Sequence, residues 1–149
     1  MIKKIILFSL LLLTSCGYQP LYKQVTTSNE FFHLKFEGNQ NINMRILDNL
    51  NIVENKLDDT LNSLTIKSSL LVEETSKDSK GLVESYKSIL NIELSILKNQ
   101  KVVQRQSFNE SFSYNDKNTR YELIDYQKQV EEILIRKINN RIRLFLNKL

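Results

Sequence analysis

A chain of 149 residues with 21 Lys and Arg against 17 Asp and Glu, a formal net charge of +4, is sized for one domain. The mild positive balance gives no argument for nucleic acid, and three glycines leave no glycine-rich phosphate loop. One cysteine excludes an intramolecular disulfide, and with one histidine it supplies neither a metal cluster nor a nucleophile–base set, so no metal, cofactor or catalysis is expected.

The N-terminus is the most specific stretch. Lys3 and Lys4 precede an apolar run from Ile5 to Leu13, interrupted only by Ser9, and small residues then lead to Cys16. This is the layout of a secretory signal peptide. The run is too short to span a bilayer, which takes about 20 apolar residues. Leu13, Thr14, Ser15 and Cys16 resemble the bacterial lipobox, the site of signal peptidase II. The resemblance implies that residues 1–15 are a cleaved signal peptide and that Cys16 becomes the mature N-terminus, lipidated with diacylglycerol and then N-acylated, for instance with palmitate. Gly17 stands where many inner-membrane lipoproteins carry a retaining aspartate, which implies the outer membrane, on its periplasmic side. Loss of Lys3 and Lys4 leaves 19 basic residues against 17 acidic ones, or +2. Residues 16–30 read as the lipidated N-terminus and tether. Pro20 disfavours helix at Gln19. Tyr18 and Tyr22 suit either the headgroup layer or the surface of the domain.

Residues 31–149 read as one α+β domain. Phe32, Leu34 and Phe36 alternate with His33, Lys35 and Glu37, predicting a half-buried strand that Gly38 closes. From about Asn41 the period lengthens: Ile42, Ile46, Leu50, Val53 and Leu57 predict an amphipathic helix capped by Asn39 or Asn41, with its end left open beyond Asn55. Leu64, Ile66, Leu70 and Val72 mark one face of a second strand, Thr65, Lys67, Ser69 and Glu73 the other. A turn at 76–81 leads to a third strand with Leu82, Tyr86, Leu90, Ile92, Leu94 and Ile96 on one side. Residues 98–101 join it to a fourth, with Val102, Phe108, Phe112 and Tyr114 on one parity. Turns this short predict antiparallel hairpins. From Asn118 to Leu149 no Gly or Pro occurs, and Leu123, Tyr126, Val130, Leu134, Ile138, Ile142, Phe145 and Leu149 step by three or four. This predicts a final helix capped by Asn118 or Thr119, about 45 Å long and projecting beyond the strand layer. The expected architecture is therefore two helices packed on a small antiparallel or mixed four-stranded sheet, in the order β-α-β-β-β-α.

Cys16, Gly17, Tyr18, Pro20, Leu21 and Tyr22, followed by this order of elements, resemble the start and layout of the LPS-assembly lipoprotein LptE family, in its alphaproteobacterial form. The resemblance spans essentially the whole chain. It implies a non-catalytic lipoprotein seated as a plug in the lumen of the outer-membrane barrel LptD, which aids that barrel's assembly and the insertion of lipopolysaccharide into the outer membrane. A generic outer-membrane lipoprotein of another envelope-assembly complex and a periplasmic lipid-binding lipoprotein remain open readings. A sheet–helix interface filled with side chains fits a plug, whereas an apolar pocket of several hundred Å³ fits a carrier.

Contact with lipopolysaccharide or with the barrel, where it occurs, is expected from the cations of the last helix, Arg136, Lys137, Arg141, Arg143 and Lys148, with Lys101 and Arg105 near a hairpin. Phosphates accept charge-assisted, often bidentate bonds from arginine. The same cations also read as a solvated face matched to the macrodipole, since Glu122, Asp125, Glu131 and Glu132 occupy the first half of that helix. His33 falls on the polar parity of the first strand, and Asp58-Asp59, Glu73-Glu74 and Glu131-Glu132 are adjacent pairs whose members face apart.

Overall fold

The computed structural model describes residues 29–148. The expected signal peptide, Cys16 and Tyr18 and Tyr22 of the expected tether, and Leu149, lie outside the described residues. Eight elements follow one another: β1 (Asn29–Phe31), β2 (Leu34–Gly38), α1 (Gln40–Leu50), β3 (Ile52–Glu54), β4 (Ser63–Lys77), β5 (Val83–Lys98), β6 (Lys101–Asn115) and α2 (Arg120–Leu146). The main sheet has four strands in the order β2-β4-β5-β6, with β2 parallel to β4 and the other pairs antiparallel. It is the expected α+β architecture with a mixed sheet.

The parallel pair exists because α1 carries the chain back between β2 and β4, and one glycine makes the turn possible. Gly38 has φ +79°, and a Cβ there would sit 1.9 Å from the carbonyl oxygen of Ser68. Only glycine lets the strand end this close to its neighbour. Asn39 then caps α1 by accepting from the Ile42 N–H at 3.2 Å. Ser68 Oγ donates to the Asn39 carbonyl at 2.9 Å, and the buried Asn43 donates through Nδ2 to the Glu37 carbonyl at 2.9 Å. The first turn of α1 is thereby laced to the ends of β2 and β4.

At its other end α1 stops at Leu50, where Asn51 takes the left-handed conformation with φ 50°. Val53 and Leu57 are therefore not helical, contrary to the reading from periodicity. Val53 is an exposed residue of β3 and Leu57 is 98% exposed in the loop beyond. The chain after Asn51 instead forms a parallel two-stranded ribbon with β1, pairing Glu30 with Val53 and Phe31 with Glu54. The first predicted strand is split accordingly: Phe31 is buried in β1, the chain bends at Phe32, and β2 begins at Leu34. Three-residue strands carry too few side chains to show an alternation, so this ribbon was not expected.

Side chains of one parity fill the space between sheet and helices. In register across the strands lie Leu34, Leu64 and Ile96, then Phe36, Ile66 and Leu94, then Ser68, Ile92 and Phe108. Against them α1 buries Ile42, Ile46, Leu47 and Leu50, and α2 buries Leu123, Val130, Leu134, Ile135, Ile138, Ile142 and Leu146. Thr119 starts α2 with a full capping box: its hydroxyl accepts from the Glu122 N–H and the Glu122 carboxylate accepts from the Thr119 N–H, both at 3.2 Å.

Three expectations about apolar residues fail for physical reasons. Val102 does not share the core face with Phe108, because the β5–β6 register shifts between Ile96 and Leu97. Val102 therefore pairs with Leu97 on the opposite face and is half exposed. Leu82 precedes β5 and is 66% exposed in the turn, and Val72 lies in a part of β4 where every residue from Leu71 to Lys77 is exposed. That end of β4 is exposed because α1, the helix over β4, has only 11 residues. A separate expectation, that the last helix projects, also fails. A strand rises about 3.3 Å per residue and a helix 1.5 Å, so 15 or 16 residues of strand outrun the 27-residue α2. The far half of β4, not the last helix, extends beyond the layer that packs on it.

Candidate functional site

Among the described residues no group of three or more His, Cys, Asp or Glu is placed to hold a metal ion. His33 Nδ1 lies 2.6 Å from Glu54 Oε1 at the bend between β1 and β2, and Glu54 also accepts from the Leu34 N–H at 3.2 Å and pairs with Lys56 at 3.3 Å. The hydrogen bond from His33, then that from Leu34, holds the Glu54 carboxyl below its ordinary pKa. This is a clasp joining β3 to the start of the main sheet. The polar cluster at the other end is equally structural. Tyr86 and Tyr114 stack at 5.8 Å, Tyr126 tilts against Tyr114 at 5.5 Å, and Lys117 sits 3.9 Å over the Tyr126 ring. Burial first, then the charges of Asp116 and Glu74, pushes the Tyr86 hydroxyl up.

The candidate cations of α2 do not gather into one patch. Arg141 turns toward β6, donating to Glu110 Oε1 at 2.8 Å and to the Asn109 carbonyl at 3.0 Å. Arg143 turns the other way, donating to the Asn49 carbonyl of α1 at 3.2 Å. With Arg136, Asn139 and Asn140 it lines an open groove of about 270 Å³ between the helices. Lys137 is exposed, and Lys148 follows the end of the helix. Nearby, Arg45 of α1 is held between Glu131 and Glu132 at 2.5 Å each. These contacts fasten α2 to its neighbours, and the acidic half of α2 is in part the counter-charge of α1.

The surface with the most continuous geometry is one that sequence reading passed over. The helices cover a single face of the sheet, and the opposite face is open. Three of its rows run across the strands in register: Lys35, Thr65, Ser95 and Arg105; Glu37, Lys67, Glu93 and Ser107; Ser69, Asn91 and Asn109. Four of the five charges in these rows pair in place, and Lys67 stands between Glu37 and Glu93 in the register. Lys35 pairs with Glu37 at 2.9 Å, lowering the Glu37 pKa through that hydrogen bond, and Arg105 lies 3.7 Å from Glu93 and donates to Ser95 Oγ at 3.3 Å. Asn109 donates to Asn91, which reaches Ser69 at 3.5 Å. Shallow depressions of about 250, 160 and 360 Å³ adjoin along this face, the first two sharing Lys67 and Glu93 and the last two sharing Thr65 and Leu97. The alternation of Ser, Thr and Asn with Leu and Ile in β4 and β5, and of Ser and Asn with Phe and Tyr in β6, was the signal for it.

Neither the 250 nor the 360 Å³ depression lies between sheet and helices. That interface is closed by side chains such as Ile46, Leu64, Ile66, Leu90, Leu134 and Ile138, all fully buried. This architecture has counterparts. The chain shares its fold with bacterial lipoproteins. It superposes on rare lipoprotein B from Shewanella oneidensis with a TM-score of 0.59 and 18% identity, over 78% of this chain and 94% of that one. A minor lipoprotein from Acinetobacter baumannii gives a TM-score of 0.61 at 15% identity, over 80% of this chain and 90% of that one. No family model and no curated protein matches the sequence. At these identities the likeness is one of fold, and it runs through nearly the whole of the two solved domains.

Proposed function

We propose that this chain is an outer-membrane lipoprotein of the LptE type, anchored on the periplasmic side through acylated Cys16, and that its domain is the non-catalytic plug and assembly partner of an LptD-type barrel in lipopolysaccharide transport. The observation that carries the reading is a conjunction. A lipobox ending at Cys16 precedes a domain whose two-helix, mixed-sheet fold is shared with rare lipoprotein B over nearly all of that chain. Two or more acyl chains make a stable anchor where a single one is marginal. A filled sheet–helix interface suits a plug better than a carrier of a lipid in its core. A mixed-charge polar surface suits the wet, polar lumen of a large barrel.

The test is recovery of the tagged, lipidated protein from outer membranes with its partners identified by mass spectrometry. A large LptD-type barrel at near one-to-one stoichiometry is expected, and a different envelope complex in its place would overturn the family reading. Cys16→Ala should leave an uncleaved or soluble protein. Normal outer-membrane retention of that variant would overturn the anchor.

A further inference from the structure

The groove between the helices holds an amide where packing alone calls for an aliphatic side chain. Asn139 belongs to the stripe of α2 that buries Ile135, Ile138 and Ile142. It is 4% exposed, lines the groove, and its Oδ1 has no hydrogen-bond partner among the described residues. A buried oxygen left unpaired carries a desolvation penalty that an aliphatic residue would avoid. A half-turn of the amide exchanges its oxygen for its nitrogen, so Asn139 can offer an acceptor or a donor to whatever enters the groove.

The residues around Asn139 add charge. Arg136, Asn139, Asn140 and Arg143 succeed one another at steps of three, one and three, which places them on one side of α2. Arg136 makes no ion pair or hydrogen bond among the described residues. Arg143 donates to the Asn49 carbonyl, which does not neutralise its charge. Glu132, the carboxylate among the lining residues, is matched by Arg45 of α1. Two guanidinium charges are therefore left over in the groove, with two amides between them. On the far flank of the helix Arg141 already has its carboxylate in Glu110.

These groups define an occupant. A guanidinium fork matches a carboxylate bidentately, and an amide side chain matches a peptide group, which donates and accepts at once. The seven residues from Arg136 to Arg143 span about 10 Å of helix, the length of about three residues of extended chain. A phosphate group is a poorer match. It accepts only, so it gives the Asn139 oxygen no donor, and its charge would lie beside Glu132.

We propose that the groove between α1 and α2 receives an extended, acidic segment of the barrel, with a carboxylate on Arg136 and main-chain groups on Asn139 and Asn140. This rests on the plug reading above, which supplies the partner.

The experiment places a photo-crosslinking amino acid at Asn140 in the full, lipidated chain in its own outer membrane and identifies the adduct by mass spectrometry. A barrel peptide containing Asp or Glu is expected. A barrel peptide without either, an adduct with lipid or with a second copy of this chain, or no adduct while the barrel is still recovered, would overturn the assignment and leave the barrel reading intact. If the unmodified protein recovers no barrel, that reading falls and this one with it. Two variants separate binding from folding. Arg136→Ala should lower barrel recovery at least about tenfold, a loss of roughly 1.4 kcal/mol, with the melting temperature unchanged. Asn139→Leu should lower recovery while leaving the melting temperature unchanged or raised, because the unpaired amide is gone. Undiminished recovery of the folded Arg136→Ala variant would overturn the proposal. A melting temperature lowered by Asn139→Leu would make the amide part of the packing and overturn its place in the site.

Discussion

Leu94 and Glu93 are neighbours in β5, yet one is fully buried beneath the helices and the other faces outward beside Arg105. The two faces of this sheet are built from the same three long strands and obey different physics. On the covered face each position is judged by volume, because Ile66, Leu94, Ile92 and Phe108 interlock in register with α1 and α2. On the open face each position is judged by hydrogen bonding and charge, and changes of size are absorbed by water. Stability is therefore expected to reside on the covered face.

The largest test of that division is Leu134→Pro. It removes a helical hydrogen bond and clashes with the preceding turn, costing about 3 kcal/mol or more. It also empties a fully buried site under α2. A domain of ordinary stability, roughly 5–15 kcal/mol, should lose much of its cooperative thermal transition. An unchanged melting temperature would show that α2 is not integral to the core. Leu94→Ala is the cleaner probe of the covered face. Its cost should fall within about 2–5 kcal/mol, measured by denaturant unfolding, because the rigid neighbours on β4, β6 and α2 cannot close the cavity.

How far these assignments were legible in the sequence follows from where neighbours intervene. The core of α2 was legible because 27 residues without Gly or Pro let the 3.6-residue period repeat many times. The heart of β4 and β5 was legible because Leu64, Ile66, Leu90 and Leu94 hold one parity for long runs. Val102 was not, since one extra residue at the bulge reverses parity and leaves no compositional trace. Val53 and Leu57 continued a helical spacing that Asn51 had already ended by turning left-handed, which is a property of the backbone. The cations of α2 were visible as charges, but their division between β6 and α1 depends on partners 31 and 94 residues away. The open face required the register of all four strands before its rows existed at all.

Smaller effects sharpen the comparison at its margins. Thr119→Ala should cost about 1 kcal/mol by removing the cap at the start of α2, and Thr119→Ser should restore most of it. The clasp at Glu54 gives a pH signature. Its carboxyl is depressed in the folded protein by His33 and the Leu34 N–H, so the stability it contributes is present above the unfolded carboxylate pKa and lost as pH falls through the lower folded value. Glu54→Gln should thus lower the melting temperature at neutral pH, with the gap to the unaltered protein closing in acid. A gap that widened on acidification would show that Glu54 acts through something other than its charge.

Least of all should be felt at Asn91. It lies in the same strand as Leu94, three residues away on the other face, and bonds only to Ser69 and Asn109 across the open surface. Water replaces those bonds when they are lost, so Asn91→Ser should shift stability by no more than about 0.5 kcal/mol. Read beside Leu94→Ala in the same denaturant titration, it measures the difference between the faces directly. A cost at Asn91 approaching that at Leu94 would mean that the open face carries part of the fold's stability itself. The short polar rows would then be there to hold the sheet together.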